Sequence, residues 1–148
     1  MYRHILVPTD GSKLSQKAIR TAVRLARAVG ARVTGVYVIP PYSPPTYGEG
    51  VIYGQVISPG RYRKSVKREA KKALAVVEVE AQTAGVESGE TMLAANNPWE
   101  GITRTAKSKK CDLIVMASHG RRGLAGLLLG SETTKVLTHS TIPTLVYR

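Results

Sequence analysis

The chain has 148 residues, 43% of them hydrophobic and 22% charged, a balance typical of a soluble globular domain and not of a disordered or fibrous protein. This length suits one domain covering residues 1–148. No apolar run is long enough to span a bilayer, and the first ten residues do not resemble a signal peptide, so we expect a cytoplasmic protein with no membrane partner. The net charge of +12 makes anionic partners the ones to consider.

Short β-branched runs alternate along the chain with longer segments of helical period, a pattern typical of βαβ units and a parallel sheet. We therefore predict five strands and four helices. The predicted strands are His4–Pro8, residues 31–39, a weaker one within 86–95, residues 111–118 and residues 142–147.

The first helix is predicted between the first two strands, where alanines recur at helical spacing and Gly30 suits a C-terminal cap. Its other side carries a basic stripe without an acidic partner, expected to be a solvated face. The stripe consists of Lys13, Lys17, Arg20, Arg24 and Arg27.

The second helix is predicted over residues 61–81, and its first turns are crowded with arginine and lysine. Residues 40–60 before it are rich in Pro, Gly and Tyr without a clear period, which predicts a flap-like loop over the site. Tyr42, Tyr47 and Tyr53 can either pin this loop to the domain, the favoured alternative, or stack on a base. The third helix is predicted to follow Asn97 or Asn96, either of which can cap it, with Pro98 at its first position.

Few residues suggest catalysis or metal binding. The single cysteine, Cys111, precedes an apolar run and is expected to be a buried, inert thiol. His119 has no partner at a spacing that defines an acid–base pair, so its expected role is structural. We predict no catalytic residue and no dedicated metal site.

The segment from Ser118 to Ser131 joins the fourth strand to the fourth helix and contains Gly120, Gly123, Gly126 and Gly130. Such a connection brings backbone N–H groups and a helix N-terminus to the carboxyl edge of a parallel sheet, where they attract phosphate. The chain has neither G-x-x-x-x-G-K-[ST] nor a G-x-G-x-x-G after the first strand, which excludes a Walker NTPase and a Rossmann dehydrogenase. The segment therefore predicts a phosphate site of another type.

The motifs PTDGS near the N-terminus and SHG, nine residues, then GS near the C-terminus resemble the universal stress protein family over the whole chain. Nucleotide-binding members have Gly, two residues, Gly, nine residues, Gly and then Ser or Thr. Gly120, Gly130 and Ser131 match this pattern, and Ala117 takes the place of its first glycine. The resemblance implies a doubly wound, Rossmann-like α/β domain whose five parallel strands lie in the order 3-2-1-4-5, with helices on both faces.

The resemblance also implies an adenine nucleotide site at the switch between the first and fourth strands. Asp10 would lie beside the ribose or adenine, the backbone near Val38 would meet the adenine edge, and the glycines and serine would hold the phosphates. The ligand would be ATP, AMP or ADP, with Mg²⁺ only as the companion of bound nucleotide, and the protein would be at most a slow ATPase. A homodimer would form through the last strand, from about Thr141 to Tyr147. The candidate site residues are Pro8, Thr9, Asp10, Val38, Met116, Ala117, His119, Gly120, Arg121, Arg122, Gly130, Ser131 and Glu132.

Ala117 leaves two principal functions open. The first is a nucleotide-binding stress or signalling regulator, and the second is a homodimeric scaffold that has lost nucleotide binding. If position 117 required a positive φ, alanine would cost about 1 kcal/mol there in addition to the bulk of its methyl group. A third alternative, nucleic-acid binding, has the charge and the basic stripe of the first helix in its favour but no reader motif, so nucleic acid is not an expected partner.

Overall fold

The computed structural model of the chain describes residues 1–43, 58–121 and 129–148. Strands and helices alternate along the described residues. They are β1 (His4–Pro8), α1 (Lys13–Val29), β2 (Arg32–Ile39), α2 (Pro59–Ala84), β3 (Ser88–Ala94), α3 (Pro98–Ser108), β4 (Leu113–Ala117), α4 (Ser131–His139) and β5 (Thr144–Tyr147). The strands form one parallel sheet in the order β3-β2-β1-β4-β5, which confirms the predicted fold.

Each face of the sheet is covered by two helices, and the side chains of the central strands alternate between them. Leu113 and Val115 of β4 belong to a core shared with α1 and α2. Ile114 and Met116 belong to a second core shared with α3 and α4. Because both faces are buried, the central strands are continuously apolar in sequence, as parallel strands usually are.

The ends of the first two helices follow local capping signals. Ser12 accepts a hydrogen bond from the N–H of Ser15 at the start of α1, and Gly30 ends that helix with a left-handed φ of 70°. Ser58 caps α2 in the same way and Pro59 occupies its first turn. The predicted start of α2 at residue 61 was therefore two residues late, and residues 59 and 60 of the predicted flap are helical.

The rest of that flap falls mostly outside the described residues, which omit 44–57 and with them Tyr47 and Tyr53. Tyr42 lies inside the described part, and its ring packs edge-on against Tyr62 of α2, with 5.3 Å between the ring centroids. This contact agrees with the pinning role for Tyr42.

Two further predictions, on Cys111 and on the basic stripe of α1, can be compared with the structure. Cys111 is 6% exposed and burial raises the pKa of its thiol to about 11, as expected for an inert cysteine. The basic stripe of α1 was predicted to have no acidic partner, and this was wrong for Arg20, whose Nε lies 2.8 Å from Glu80 Oε1. The partner comes from α2, so the sequence of α1 alone carries no sign of it. No helix in the described part of the chain is long and apolar enough to cross a membrane.

Candidate functional site

The predicted site residues of β1 and β4 meet at the carboxyl edge of the sheet. The two strands are neighbours, but β1 leads into α1 on one face and β4 leads toward α4 on the other. Pro8 and Met116 are among the last residues of these strands, and Thr9 and Asp10 follow directly. Diverging connections of this kind leave a crevice at the switch point, which is where open parallel sheets bind ligands.

A carboxylate ties the two sides of this crevice together. Asp10 Oδ1 accepts from the N–H of Ser12 at 2.9 Å, and Asp10 Oδ2 accepts from the N–H of Arg121 at 2.7 Å. Burial raises the pKa of the Asp10 carboxyl, but hydrogen bonding with the side chain and N–H of Ser12, the N–H of Arg121 and the side chain of Ser15 outweighs burial and holds the pKa below its usual value. Asp10 is therefore ionised at neutral pH.

Gly120 allows this contact because it has no side chain. A Cβ at Gly120 would lie 2.6 Å from Asp10 Oδ2, a separation that real Cβ atoms essentially never show. A glycine is therefore needed at position 120 so that the backbone can approach Asp10 closely. This explains on steric grounds why the motif has glycine at this position.

The side chain of Arg121 turns away from Gly130 and toward α2. Its Nη1 lies 3.4 Å from Glu69 Oε2, and its Nη2 lies 2.8 Å from the place that a Cβ of Gly11 would occupy. Gly11 has a φ of 79°, a left-handed conformation that favours glycine. The guanidinium of Arg121 also leaves no room for a side chain there. Arg121, a predicted site residue, therefore forms an ion pair with Glu69, which sequence reasoning missed because the two residues are 52 apart in the chain. Arg122, Gly123 and Gly126 lie outside the described residues.

Gly130 holds the far end of the glycine segment against β4. Its N–H donates to the carbonyl oxygen of Ser118 at 2.7 Å, and Thr133 Oγ1 donates to the carbonyl oxygen of Ala117 at 3.0 Å. A Cβ on Gly130 would lie 3.2 Å from both His119 Cα and the carbonyl oxygen of Ser118. His119 Nδ1 is 3.2 Å from Ser118 Oγ, a local contact within the loop.

The start of α4 differs from the starts of the other helices. Ser12 and Ser58 cap α1 and α2, while the N–H of Trp99 in the first turn of α3 donates to Glu132 Oε2 at 2.8 Å. The first turn of α4, which opens with Ser131, receives no side-chain acceptor from the described residues. Its N–H groups and its positive end of the helix dipole are thus available to an anion. The carboxylate of Glu132, a predicted site residue, is engaged at α3.

The backbone of Val38 points into the crevice. Val36 accepts from the N–H of Thr9 at 3.0 Å and so faces β1, whereas Ile39 accepts from the N–H of Ala95 and faces β3. Because alternate residues of a strand face the same neighbour, the N–H and C=O of Val38 point to the same side as those of Val36, toward β1. However, β1 ends opposite Val36, so no strand of the described residues lies beside Val38 on that side. No backbone group of the described residues bonds to them there.

The side chain of Val38 packs directly against Gly101 of α3. A Cβ on this glycine of α3 would lie 2.7 Å from Val38 Cγ2. The sequence alone singled out no role for Gly101, since its neighbour comes from a strand more than sixty residues earlier in the chain.

Ala117 occupies an ordinary strand position. It pairs in register with Tyr147 of β5, and the only non-glycine residue with positive φ in the described part of the chain is Lys110. The backbone penalty considered for alanine therefore does not apply, and only the methyl group distinguishes it from glycine. Strand alternation puts that methyl on the face of Leu113 and Val115, under α1. Nowhere in the described ranges do three His, Cys, Asp or Glu side chains gather to hold a metal ion.

Two proteins of known family are similar to this chain over its whole length. The universal stress protein YxiE of Bacillus subtilis is 35% identical over 149 residues, which cover 100% of both chains. The universal stress protein MJ0531 of Methanocaldococcus jannaschii is 32% identical over 151 residues, covering 100% of this chain and 83% of the relative.

Solved structures share the fold. A universal stress protein in complex with cAMP is 25% identical with a TM-score of 0.70, covering 99% of this chain and 97% of the other. A universal stress protein of Archaeoglobus fulgidus in complex with dAMP is 21% identical with a TM-score of 0.73, covering 99% and 98%. The sequence model of the "Universal stress protein family" matches residues 1–148. This chain therefore belongs to the universal stress protein family.

Proposed function

We propose that this protein binds an adenine nucleotide, ATP first among them, at the switch point between β1 and β4 and serves as a stress-response or signalling regulator. The observation that carries the proposal is the start of α4. Its N–H groups lack a side-chain cap from the described residues, and it follows a glycine packed directly against the end of β4. An anion is the natural partner of such a terminus.

Each part of the nucleotide has a matching group in the crevice. The phosphates would meet Gly130, Ser131 and the N–H groups of α4, with Mg²⁺ arriving as their counter-ion. The ionised carboxylate of Asp10 repels phosphate but accepts hydrogen bonds from hydroxyl groups, so it suits the ribose. The backbone N–H and C=O of Val38 would pair with the adenine edge. The cAMP complex of a 25% identical relative supports the adenine preference.

Turnover is expected to be slow or absent. His119, which adjoins Gly120, has its ring Nδ1 3.2 Å from Ser118 Oγ of the same loop, and no second acid or base contacts it in the described ranges. We therefore propose that occupancy, and not hydrolysis, is the signal.

Titration calorimetry with ATP, AMP, cAMP and adenosine, each with Mg²⁺ present, tests the site. Tighter binding of ATP than of adenosine is expected, since adenosine lacks the phosphates that α4 would bind. Nucleotide should also be released when the purified protein is denatured. No heat with any of the four ligands, together with no released nucleotide, would rule the proposal out.

A nucleotide-free scaffold is the second candidate, favoured by Ala117 where the family pattern has glycine. The variant Ala117→Gly separates the two. ATP binding in the variant but not in the parent supports a scaffold, whereas equal affinity means that the methyl under α1 does not reach the ligand.

We also propose that the protein is a cytoplasmic homodimer joined through β5. This strand ends the sheet, and Leu145 on it is 38% exposed. Unpaired sheet edges commonly associate with another chain. Light scattering after size exclusion should give twice the mass of the 16.0 kDa chain. A Leu145→Lys variant should shift the mass toward the monomer, and a monomeric parent would refute the dimer.

A further inference from the structure

The positive charge of this protein is concentrated on one face of the sheet. The α1 and α2 helices, which share that face, carry twelve lysines and arginines against three glutamates. The α3 and α4 helices on the other face carry three against two. All twelve cations of α1 and α2 are exposed. The net charge of +12 is thus largely the charge of one helical layer.

Four of the five cations of α1 line a shallow groove of about 380 Å³ beside the helix. Its lining includes Lys17, Arg20, Arg24 and Arg27, together with Glu80 and Thr83 of α2 and Tyr147 of β5. Arg20 is neutralised by Glu80. Lys17, Arg24 and Arg27 have no carboxylate within ion-pair distance among the described residues.

This arrangement does not serve the stability of the helix. The stripe repeats at intervals of four, three, four and three residues, so each cation lies one turn from the next. Like charges at such spacings repel each other along a helix. The α1 helix contains no acidic residue of its own to relieve that repulsion.

We propose that the groove along α1 binds the phosphodiester backbone of nucleic acid without regard to base sequence. From Lys17 to Arg27 the cations that line the groove extend over about 15 Å at 1.5 Å per residue, one turn of about 5.4 Å apart. Three of these four cations have no carboxylate partner among the described residues, and unpaired cations in a concave surface match the phosphates of a nucleic-acid backbone. The sequence alone did not predict nucleic acid as a partner because the chain has no recognised reader motif, and the groove beside the basic stripe is visible only in the structure.

A membrane surface fits these observations less well. Helices that bind in the plane of a bilayer insert large apolar side chains beside their cations. Among the described residues of α1 and α2, Val79 is the one large hydrophobic side chain that is strongly exposed, at 59%. The groove therefore favours an elongated polyanion over a lipid surface.

Fluorescence anisotropy with labelled 20-base-pair DNA and RNA duplexes of random sequence tests the proposal in the full-length protein. The binding constant should fall steeply as salt is raised from about 50 to 200 mM. The triple variant Lys17→Gln, Arg24→Gln and Arg27→Gln should flatten the slope of log K against log salt by about 2.7, at about 0.9 per phosphate contact. Its affinity should drop by about tenfold or more. The DNA and RNA arms identify which backbone is preferred.

The matched control is Lys107→Gln, Lys109→Gln and Lys110→Gln, which removes the same charge at and just after the end of α3. These side chains are also exposed, so both variants should fold, as far-ultraviolet circular dichroism would verify. The control variant should keep most of the parent's affinity for the duplexes and most of the slope of log K against log salt.

The proposal is independent of the nucleotide site, so Gly120→Ala should leave duplex binding unchanged. Equal losses in the two triple variants would overturn the groove as the binding surface. So would an absence of duplex binding by the parent at about 50 mM salt, or binding only to vesicles that contain phosphatidylserine.

Discussion

Gly120→Ala perturbs the contact that joins the two sides of the crevice. The new methyl carbon would lie 2.6 Å from Asp10 Oδ2, whereas ordinary van der Waals contact begins at 3.4 Å. One of the two groups must therefore move by about 0.8 Å. Asp10 has a short side chain already held at 2.9 Å by the N–H of Ser12, so the displacement falls on the bond to Arg121.

The cost follows from the charge of Asp10. A hydrogen bond to a charged group contributes about 1.5–3 kcal/mol, and breaking the Arg121 contact should lower the free energy of unfolding by a similar amount. The glycine segment would lose its hydrogen bond to the residue that follows β1, and the groups that bind ATP would shift. Each loss of about 1.4 kcal/mol in binding free energy weakens ATP affinity about tenfold. We expect at least a tenfold loss of ATP affinity.

Urea unfolding and titration calorimetry with Mg-ATP measure the two effects. Gly60→Ala is the matched control, because a Cβ on that helical glycine would have nothing within 4 Å. It should leave ATP affinity unchanged and stabilise the protein by no more than about 1 kcal/mol. If Gly120→Ala behaves like Gly60→Ala in both assays, the close approach of Gly120 to Asp10 does not organise the site.

Three further predictions concern the core. Gly35→Ala should cost about 1–3 kcal/mol of unfolding free energy in urea titrations, because its Cβ would lie 2.9 Å from Val77 Cγ2; no loss would mean that the core relaxes freely. Burial lowers the pKa of His4, so its contribution to stability should be complete above pH 6.5 and decline as the pH falls from there toward the lowered pKa. The free energy of unfolding, measured at a series of pH values, should depend less on pH in His4→Gln than in the parent. Equal slopes in the two proteins would contradict this. The Cys111 thiol, with a pKa of about 11, should react with a disulfide reagent only after denaturation, and rapid native labelling would show that it is accessible.

The strands and helices could be predicted from local patterns, and the structure shows why. Ile5, Leu6 and Val7 are fully buried on both faces of the sheet, so they form an uninterrupted apolar run. Gly30 ends α1 in the left-handed conformation that its place in the sequence indicated. The order of the strands was implied by family resemblance, since no local signal tells which strands are neighbours.

The sequence by itself determined that a glycine-rich segment follows a buried strand and that an unusual positive charge is present. Only the tertiary structure decided what these features contact. Asp10 meets the N–H of Arg121 across 111 residues, and Glu132 caps α3, leaving α4 without a side-chain cap from the described residues. The packing of α1 beside α2 gathers the cations on one face. Composition and periodicity report local preference, whereas these contacts depend on which elements the sheet brings together.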